Sequence, residues 1–185
     1  MRRILQFILK ILARFVLRKY KPIVVGITGS VGKTSTKEAV YAVLKRKFKV
    51  RRNLRNYNNE IGVPLTVLGL ETGGRNIFKW IILFLKALRL ILLKTDYPEI
   101  LVLEMGADKP GDIKYLLDFI PVNIGIVTAI GEFPVHIEFF PEKDDLVEEK
   151  ANMVKYLSPF RLPDNEKSSG IAVLNYDDLS VLSLI

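Results

Sequence analysis

The sequence predicts an α/β fold in which a doubly wound, mostly parallel sheet carries helices on its faces. Runs of four or five apolar residues, many of them β-branched, alternate along the chain with longer amphipathic segments. Strands that are buried on both faces have such continuous apolar runs, and helices connect one parallel strand to the next. Polar residues follow several of these runs, at the edge of the sheet where ligands of such folds bind.

Local signals place each element. The apolar run 23–27 precedes a turn with three glycines and an amphipathic segment, which predicts strand, loop and helix in that order. Gly73 and Gly74 break the chain before a long apolar segment, and Pro110-Gly111-Asp112 starts another helix. Predicted strands cover 23–27, 48–52, 100–103, 124–128 and 171–174. Predicted helices cover 3–19, 33–46, 61–70, 77–94, 112–119 and 143–157. Residues 53–60 and 158–170 are predicted to be a polar turn and a surface loop.

The domain organisation follows from this pattern. Residues 1–21 are predicted to form a basic amphipathic helix, and residues 22–185 the nucleotide-binding domain described below. Residues 175–185 follow the last strand without a closing helix, so we expect this domain to be truncated at its carboxyl end.

Charge is distributed unevenly along the 185 residues, whose net charge is +8. Residues 1–55 hold 16 Lys and Arg but a single acid, Glu38. This asymmetry predicts attraction of the amino-terminal segment to an anionic surface, either a membrane or a nucleic acid. Of the two we expect peripheral contact with an anionic membrane and no nucleic-acid partner. The chain has no cysteine, which excludes disulfides and thiolate sites and is compatible with the cytoplasm.

Two apolar stretches are candidates for membrane contact. Residues 3–19 combine a wide apolar face with a basic stripe and are too short and too charged to span a bilayer, but they suit its interface. The alternative is a helix packed on its own domain or on a missing one. Residues 77–94 are more apolar, yet three basic residues interrupt them and a new strand follows. We therefore expect residues 77–94 to form a helix that covers the sheet. We also expect a cytoplasmic protein whose basic amino-terminal segment contacts the inner membrane surface peripherally.

The turn after the first strand predicts a phosphate-binding loop. Glycines let the backbone approach a phosphate, and N–H groups at the start of the following helix point toward the anion. Lys33 would add a positive charge and the Thr34 hydroxyl would bind Mg²⁺. The strict pattern of such loops requires glycine at position 27, where this chain has Ile27. The alternative is a glycine-rich turn with an incidental lysine. The predicted nucleotide-binding residues are Thr28, Gly29, Ser30, Val31, Gly32, Lys33, Thr34 and Ser35.

Other strand ends carry further candidates. Asn58 and Asn59 lie in a run of amide side chains before a helix, Glu104 ends a strand, and His136 follows the next one. A carboxylate beside a phosphate loop is well placed to bind Mg²⁺ directly or through water. Taken singly, each has a simpler explanation, since Glu104 could cap a helix and a lone histidine is usually a surface or packed residue.

Together these motifs resemble those of the Mur ligase family, which forms amide bonds with ATP in peptidoglycan synthesis. The resemblance covers residues 23–178 and rests on six motifs in the family's order. They are GITGSVGKTSTKE (26–38), NYNNEIGVPLTVL (56–68), VLEMGADKPGDI (102–113), VTAIGEFPVHIEFF (127–140), EEKANMV (148–154) and VLNYDD (173–178). The Asn-Asn-Glu block favours the branch that adds D-alanyl-D-alanine.

The resemblance implies roles for individual residues. Lys33 and Thr34 match nucleotide and Mg²⁺ positions, Glu104 matches a Mg²⁺-binding glutamate, and His136 matches the histidine of a second Mg²⁺ site. Lys150 matches a lysine that is carbamylated in the family, so Lys33, Lys150 and His136 are the implied catalytic residues. Asn58 and Asn59 would line the substrate side. Four residues separate Ile130-Gly131 from His136, where family members usually have two, so its register departs from the pattern.

The implied reaction transfers the γ-phosphoryl group of ATP to a UDP-linked muramoyl peptide, and D-alanyl-D-alanine then attacks the acyl phosphate. ATP and Mg²⁺ are the implied cofactors. The family's amino-terminal and carboxyl-terminal domains have no counterpart here, so a separate chain could supply them. The alternative function is a nucleotide-binding or membrane-associated module that no longer ligates.

Overall fold

A five-stranded parallel sheet forms the centre of the protein, as the alternating apolar runs predict. The computed structural model describes residues 2–54, 57–131, 140–161 and 166–184. Its helices are α1 (Arg2–Tyr20), α2 (Lys33–Leu44), α3 (Gly62–Leu68), α4 (Ile77–Leu92), α5 (Asp112–Leu117), α6 (Lys143–Lys155) and α7 (Leu179–Leu182). Its strands are β1 (Ile23–Thr28), β2 (Val50–Arg52), β3 (Ile100–Glu104), β4 (Ile124–Val127), β5 (Phe160–Arg161), β6 (Lys167–Ser168) and β7 (Ile171–Leu174).

The strand order β2-β3-β1-β4-β7 places β1 in the middle of the sheet. The chain first builds the sheet on one side of β1 and then continues on the other side with β4 and β7. The winding direction therefore reverses at β1, and ligands of open parallel sheets bind at the carboxyl ends of the strands at such a point. The predicted phosphate loop follows β1 directly.

The two faces of the sheet are covered unequally. On one face, alternate residues of β1 and β3 pack against Val40 and Leu44 of α2. On the other face, the remaining strand residues join one large core with α1, α3, α5 and α6. Gly26 and Gly125 let α6 lie close to the strands, because a side chain at either position would collide with Met153. This close packing brings α6 to the loop that follows β1.

Helix α1 is packed on the domain through one of its faces. Leu9, Ala13, Val16 and Leu17 are buried, and they lie against α3 and α4. All seven residues of α3 are buried, because the helix lies between α1 and β3. The alternative reading of 3–19 as a helix that packs on its own domain is therefore correct for this face.

Helix α4 differs from its prediction. We expected 77–94 to cover the sheet, but α4 packs mainly against α1, and within it only Leu83 and Ala87 are buried. The expectation about its partner is wrong, because α3 and α1 already cover that part of the sheet. Among the described residues, no helix is both long and apolar enough to cross a bilayer.

Two further expectations need correction. The predicted loop 158–170 contains the short antiparallel pair β5–β6. The segment after the last strand was expected to lack a helix, but it forms the single turn α7. The Asp178 carboxylate caps this turn by accepting a hydrogen bond from the Val181 N–H.

Candidate phosphate and metal site

The loop between β1 and α2 depends on two glycines with left-handed backbone conformations. Gly29 has φ +144° and Gly32 has φ +86°. A Cβ atom at Gly29 would lie 2.1 Å from Thr128 Oγ1. Since side-chain-bearing residues rarely adopt these angles, the sequence Gly-x-x-Gly is required for this turn.

Thr128 and Ala129, which follow β4, hold the loop in place. The Ser30 N–H donates to the Ala129 carbonyl over 2.6 Å. The Thr128 hydroxyl is 2.7 Å from the Val31 carbonyl and 3.1 Å from the Thr28 carbonyl. The loop is therefore attached to the neighbouring strand end before any ligand binds.

The structure explains why Ile27 can stand where the strict loop pattern has glycine. Ile27 is the fifth residue of β1, is paired with Glu104 of β3 and Ile126 of β4, and is fully buried. The turn thus begins only after Thr28, and position 27 needs a strand-forming apolar residue.

The start of α2 has the properties of an anion site. Gly32 occupies its N-cap position and supplies no side-chain cap, so the first N–H groups of the helix need another acceptor. The hydroxyl oxygens of Thr28 and Ser30 are buried and have no hydrogen-bond partner among the described residues. Buried polar groups are normally satisfied, so these hydroxyls and N–H groups fit the oxygens of a bound phosphate.

Lys33 lies across the loop. Its ammonium group donates to the carbonyls of Gly29 (2.8 Å) and Ser30 (3.1 Å). Burial lowers the pKa of Lys33, and the nearby carboxylates of Glu104 and Asp108 oppose this only in part. The lysine therefore places a positive charge where a nucleotide phosphate would enter.

Glu104 is the centre of a buried hydrogen-bond cluster at the end of β3. Its Oε2 accepts from the Thr34 hydroxyl (3.0 Å) and from Lys37 Nζ (3.1 Å). Its Oε1 accepts from Asn58 Nδ2 (3.2 Å). The predicted metal ligands Thr34 and Glu104 are thus brought together beside the loop.

This pair fits Mg²⁺, which prefers oxygen ligands and commonly binds through one or two carboxylates plus substrate phosphates and water. The Thr34 hydroxyl and the Glu104 carboxylate would hold the ion, with phosphate oxygens and water as its other ligands. The described ranges contain no group of three or more His, Cys, Asp or Glu that could hold a metal ion by itself. His136, the predicted ligand of a second Mg²⁺, lies outside the described residues.

Sequence reasoning missed two members of the Glu104 cluster. Lys37 is 1% exposed, and it is the buried residue of α2. The Asn53 side chain donates to the Glu104 carbonyl and accepts from the Glu104 N–H, both over 2.9 Å. A helical spacing of three from Thr34 to Lys37 was the signal for the first. No sequence signal separated Asn53 from the other polar residues of its turn.

Lys150 reaches the same loop from α6. The residue is 2% exposed, and its ammonium group donates to the Gly29 carbonyl over 3.1 Å. Burial, and to a smaller extent the nearby Lys33 charge, lower the pKa of Lys150 to about 8, while Glu149 and Asp108 partly oppose the shift. A lysine at this pKa has a substantial neutral fraction near pH 7.5, which is the form that can react with CO₂.

Glu149, the residue before Lys150 on α6, joins this helix to α5. The Glu149 carboxylate accepts hydrogen bonds from the N–H groups of Gly111 (2.9 Å) and Ile113 (2.7 Å) at the start of α5. A carboxylate is favourable at a helix amino terminus. These bonds hold α6 in the position from which Lys150 reaches the loop. Sequence reasoning did not select Glu149.

Asn58 and Asn59 make structural contacts. Besides the bond to Glu104, the Asn58 carbonyl accepts from the Gly106 N–H over 2.8 Å. The Asn59 side chain accepts from the N–H groups of Ile61 and Gly62 at the start of α3. Their substrate-binding role stays a prediction.

A groove of about 370 Å³ adjoins the loop between the ends of β4 and β7. Val31, Gly32, Thr36, Thr128, Val173 and Asn175 are among the residues that line it. It is open beside the phosphate loop and offers space for the nucleoside part of a nucleotide.

Comparison of the sequence with known proteins identifies the family of this chain. Residues 27–78 and 85–185 match the model of the Mur ligase middle domain. This chain belongs to the Mur ligase family. The UDP-N-acetylmuramoyl-tripeptide–D-alanyl-D-alanine ligase of Mycobacterium leprae is 34% identical over 87% of this chain, and that of Bacillus subtilis is 31% identical over 79%.

Solved structures from the family have the same fold. MurF ligase from Thermotoga maritima, in complex with ADP, has a TM-score of 0.62 and 34% identity over 82% of this chain and 30% of its own. MurF from Acinetobacter baumannii has a TM-score of 0.69 over 97% of this chain and 32% of its own, at 22% identity. The chain spans about a quarter of the length of the curated relatives, 24% and 26% of the two named above.

Proposed function

We propose that this chain is the ATP-binding part of a ligase that adds D-alanyl-D-alanine to a UDP-linked muramoyl peptide. The observation that carries the proposal is the Thr34–Glu104 pair beside a loop with two unsatisfied buried hydroxyls. Relatives named for this activity share about a third of the residues in the same segment. The T. maritima relative is described with ADP, which supports an adenine nucleotide as the ligand.

In the proposed reaction, a carboxylate oxygen of the muramoyl peptide attacks the γ-phosphorus of ATP, and the bond to ADP breaks. The amine of D-alanyl-D-alanine then attacks the acyl carbon, loses a proton and displaces phosphate. Residues 28–35 hold the nucleotide phosphates, and Lys33 offsets negative charge on the transferring group. Mg²⁺ held by Thr34 and Glu104 would add to this charge compensation.

The remaining site residues have proposed roles of the same kind. Lys150 as a carbamate would place negative charge beside the loop, and its lowered pKa favours that modification. His136 would bind a second Mg²⁺, and Asn58 and Asn59 would face the muramoyl peptide. The sites for the UDP-sugar and the amine would belong to parts of the ligase outside this segment, on the same chain or a separate one. A module that binds nucleotide without ligating is the alternative.

We also propose that the protein is cytoplasmic and contacts the anionic inner membrane surface peripherally. In this proposal, residues 1–21 are the contacting unit and residues 22–185 are the nucleotide-binding domain. The support is the absence of any acid in α1 together with its six basic residues.

Calorimetric titration with ADP and Mg²⁺ tests the nucleotide site. Replacing Lys33 by alanine should weaken binding at least tenfold, about 1.4 kcal/mol, because the variant loses a charged contact to phosphate. Lys94→Ala, which removes an exposed lysine after α4, is the matched control and should bind like the unmodified chain. Equal affinities for the folded Lys33→Ala variant and the control would contradict the proposal.

A further inference from the structure

Helix α4 exposes more large apolar side chains than it buries. Seven of its side chains lie 44–76% exposed. They are Ile77, Phe78, Ile81, Ile82, Leu85, Leu88 and Leu92. Their spacing of three and four residues places them in one broad row along the helix, opposite the buried Leu83 and Ala87. Exposed apolar rows of this length are unusual on a free protein surface and indicate an interaction site.

Helix α1 has a second such row. Ile4, Phe7, Ile8, Ile11 and Phe15 are 36–65% exposed, on the side opposite its buried residues. This row is only part of the apolar face that the sequence suggested, because Leu5, Leu12 and Val16 face the core.

Specific contacts join the two helices at their carboxyl ends. The Lys19 ammonium donates to the carbonyls of Leu90 (3.1 Å) and Ile91 (2.9 Å), which satisfies the last turn of α4. The Tyr20 hydroxyl also donates to the Leu90 carbonyl over 2.9 Å. The two rows therefore belong to one connected unit.

The charge of this unit indicates which partner covers it. Helix α1 has six basic residues, helix α4 has three, and neither has an acid. Two of these cations already pair with acids of neighbouring elements, Arg2 with Glu60 and Lys10 with Asp118. Lys79, Lys86 and Arg89 lie together along one side of the α4 row. A second copy of the chain would bring like charges face to face, whereas an anionic lipid surface complements them.

The family model matches α4 in part and does not extend to α1. The middle-domain model leaves residues 79–84 of α4 unmatched, and its match begins at residue 27, after α1. Ile81 and Ile82 of the α4 row therefore lie outside the matched residues, whereas its other five members lie within them. The nucleotide site, in contrast, is entirely within the matched residues.

We infer that α4, together with the outward row of α1, binds the interfacial region of an anionic lipid bilayer. The inference rests on the membrane contact proposed above. It makes α4, and not α1, the main contacting helix, because α4 contributes the larger apolar row. Phe78, Ile81 and Leu85 would enter the boundary between headgroups and acyl chains, while Lys79, Lys86 and Arg89 would stay at the headgroups.

The single tryptophan of the chain, Trp80, lies on α4 and serves as an intrinsic probe. Its indole N–H donates to the Gly74 carbonyl, and its ring packs against Phe84. We expect vesicles of phosphatidylglycerol and brominated phosphatidylcholine to quench its fluorescence, and vesicles without phosphatidylglycerol to quench it much less.

Paired variants test the apolar row. Phe78→Ser with Leu85→Ser should lower the partition into anionic vesicles at least tenfold, measured by flotation. Val43→Ser with Leu179→Ser removes two side chains that are 70% and 82% exposed but lie on α2 and α7, and should leave partition unchanged. Equal partition of the two double variants would overturn the inference, as would no flotation of the unmodified chain. Nucleotide binding of the α4 variant should stay unchanged, so failure here is distinguishable from failure of the ATP site.

Discussion

Replacing Lys150 by methionine should change how the stability of the protein depends on pH. In the folded chain the Lys150 ammonium is buried, and its pKa is about 8 instead of 10.5. In the unfolded chain it has its ordinary pKa. Methionine fills similar space without a charge, so the comparison isolates the titration of this one amine.

The size of the effect follows from the two pKa values. A difference of about 2.5 pH units corresponds to about 3.4 kcal/mol at 1.36 kcal/mol per unit. Between pH 8 and pH 10.5 the unfolded chain binds more protons at Lys150 than the folded chain does. Stability of the unmodified protein therefore rises with pH through this window. Below pH 8 the burial of the charged amine opposes folding with nearly its full magnitude.

We expect the variant's advantage in unfolding free energy to shrink by about 2.5 kcal/mol from pH 7 to pH 10. The lost hydrogen bond to the Gly29 carbonyl subtracts a roughly constant amount, about 1–3 kcal/mol. Urea unfolding at four pH values, in buffers free of CO₂ so that no carbamate forms, measures the difference. Lys155→Met on the same helix removes a largely exposed lysine and is the control. A difference between Lys150→Met and unmodified protein that stays constant from pH 7 to pH 10 would refute the reasoning.

Two further predictions concern the loop and its support. Gly29→Ala should lower the free energy of unfolding by about 1–3 kcal/mol and weaken ADP binding, because the new methyl group collides with Thr128 at an unfavourable φ. Gly74→Ala, where the added atom meets open space, should cost about 1 kcal/mol or less in the same urea titration and keep ADP affinity unchanged. Glu149→Gln should destabilise the protein by about 1–2 kcal/mol, because α5 loses a charged acceptor at its first turn. Equal urea midpoints for Glu149→Gln and unmodified protein would contradict that assignment.

The elements that position the site could be predicted from the sequence because their signals are local. An apolar run followed by Gly-x-x-Gly-Lys-Thr predicts strand, turn and helix without knowledge of distant residues. The approach of Glu104 to Thr34 followed as well, since Glu104 ends β3 and Thr34 opens the helix after the loop of the neighbouring strand β1. Ile27 departs from the strict loop pattern because it belongs to the strand, as the predicted range 23–27 already implied.

What could not be predicted depends on tertiary contacts. The periodicity of 77–94 identified a helix, but not that α1 and α3 would already occupy the space between it and the sheet. Lys37 was overlooked because lysine is rarely buried, and its burial depends on a carboxylate 67 positions away in the chain. The cap that Glu149 provides for α5 could not be predicted for the same reason, because it also depends on residues that are distant in the sequence.

The enclosure of α3 has a consequence for how the protein could sit on a surface. Because α1 covers a helix with no exposed residue, α1 cannot swing outward without uncovering α3 and the core beneath it. Helix α1 is therefore rigidly attached to the domain and is not a flexible segment. A bilayer that meets its outer side would hold the whole sheet at one tilt and the loop at the end of β1 at a fixed distance from the lipid surface. Substrates would then approach that loop from a constant direction.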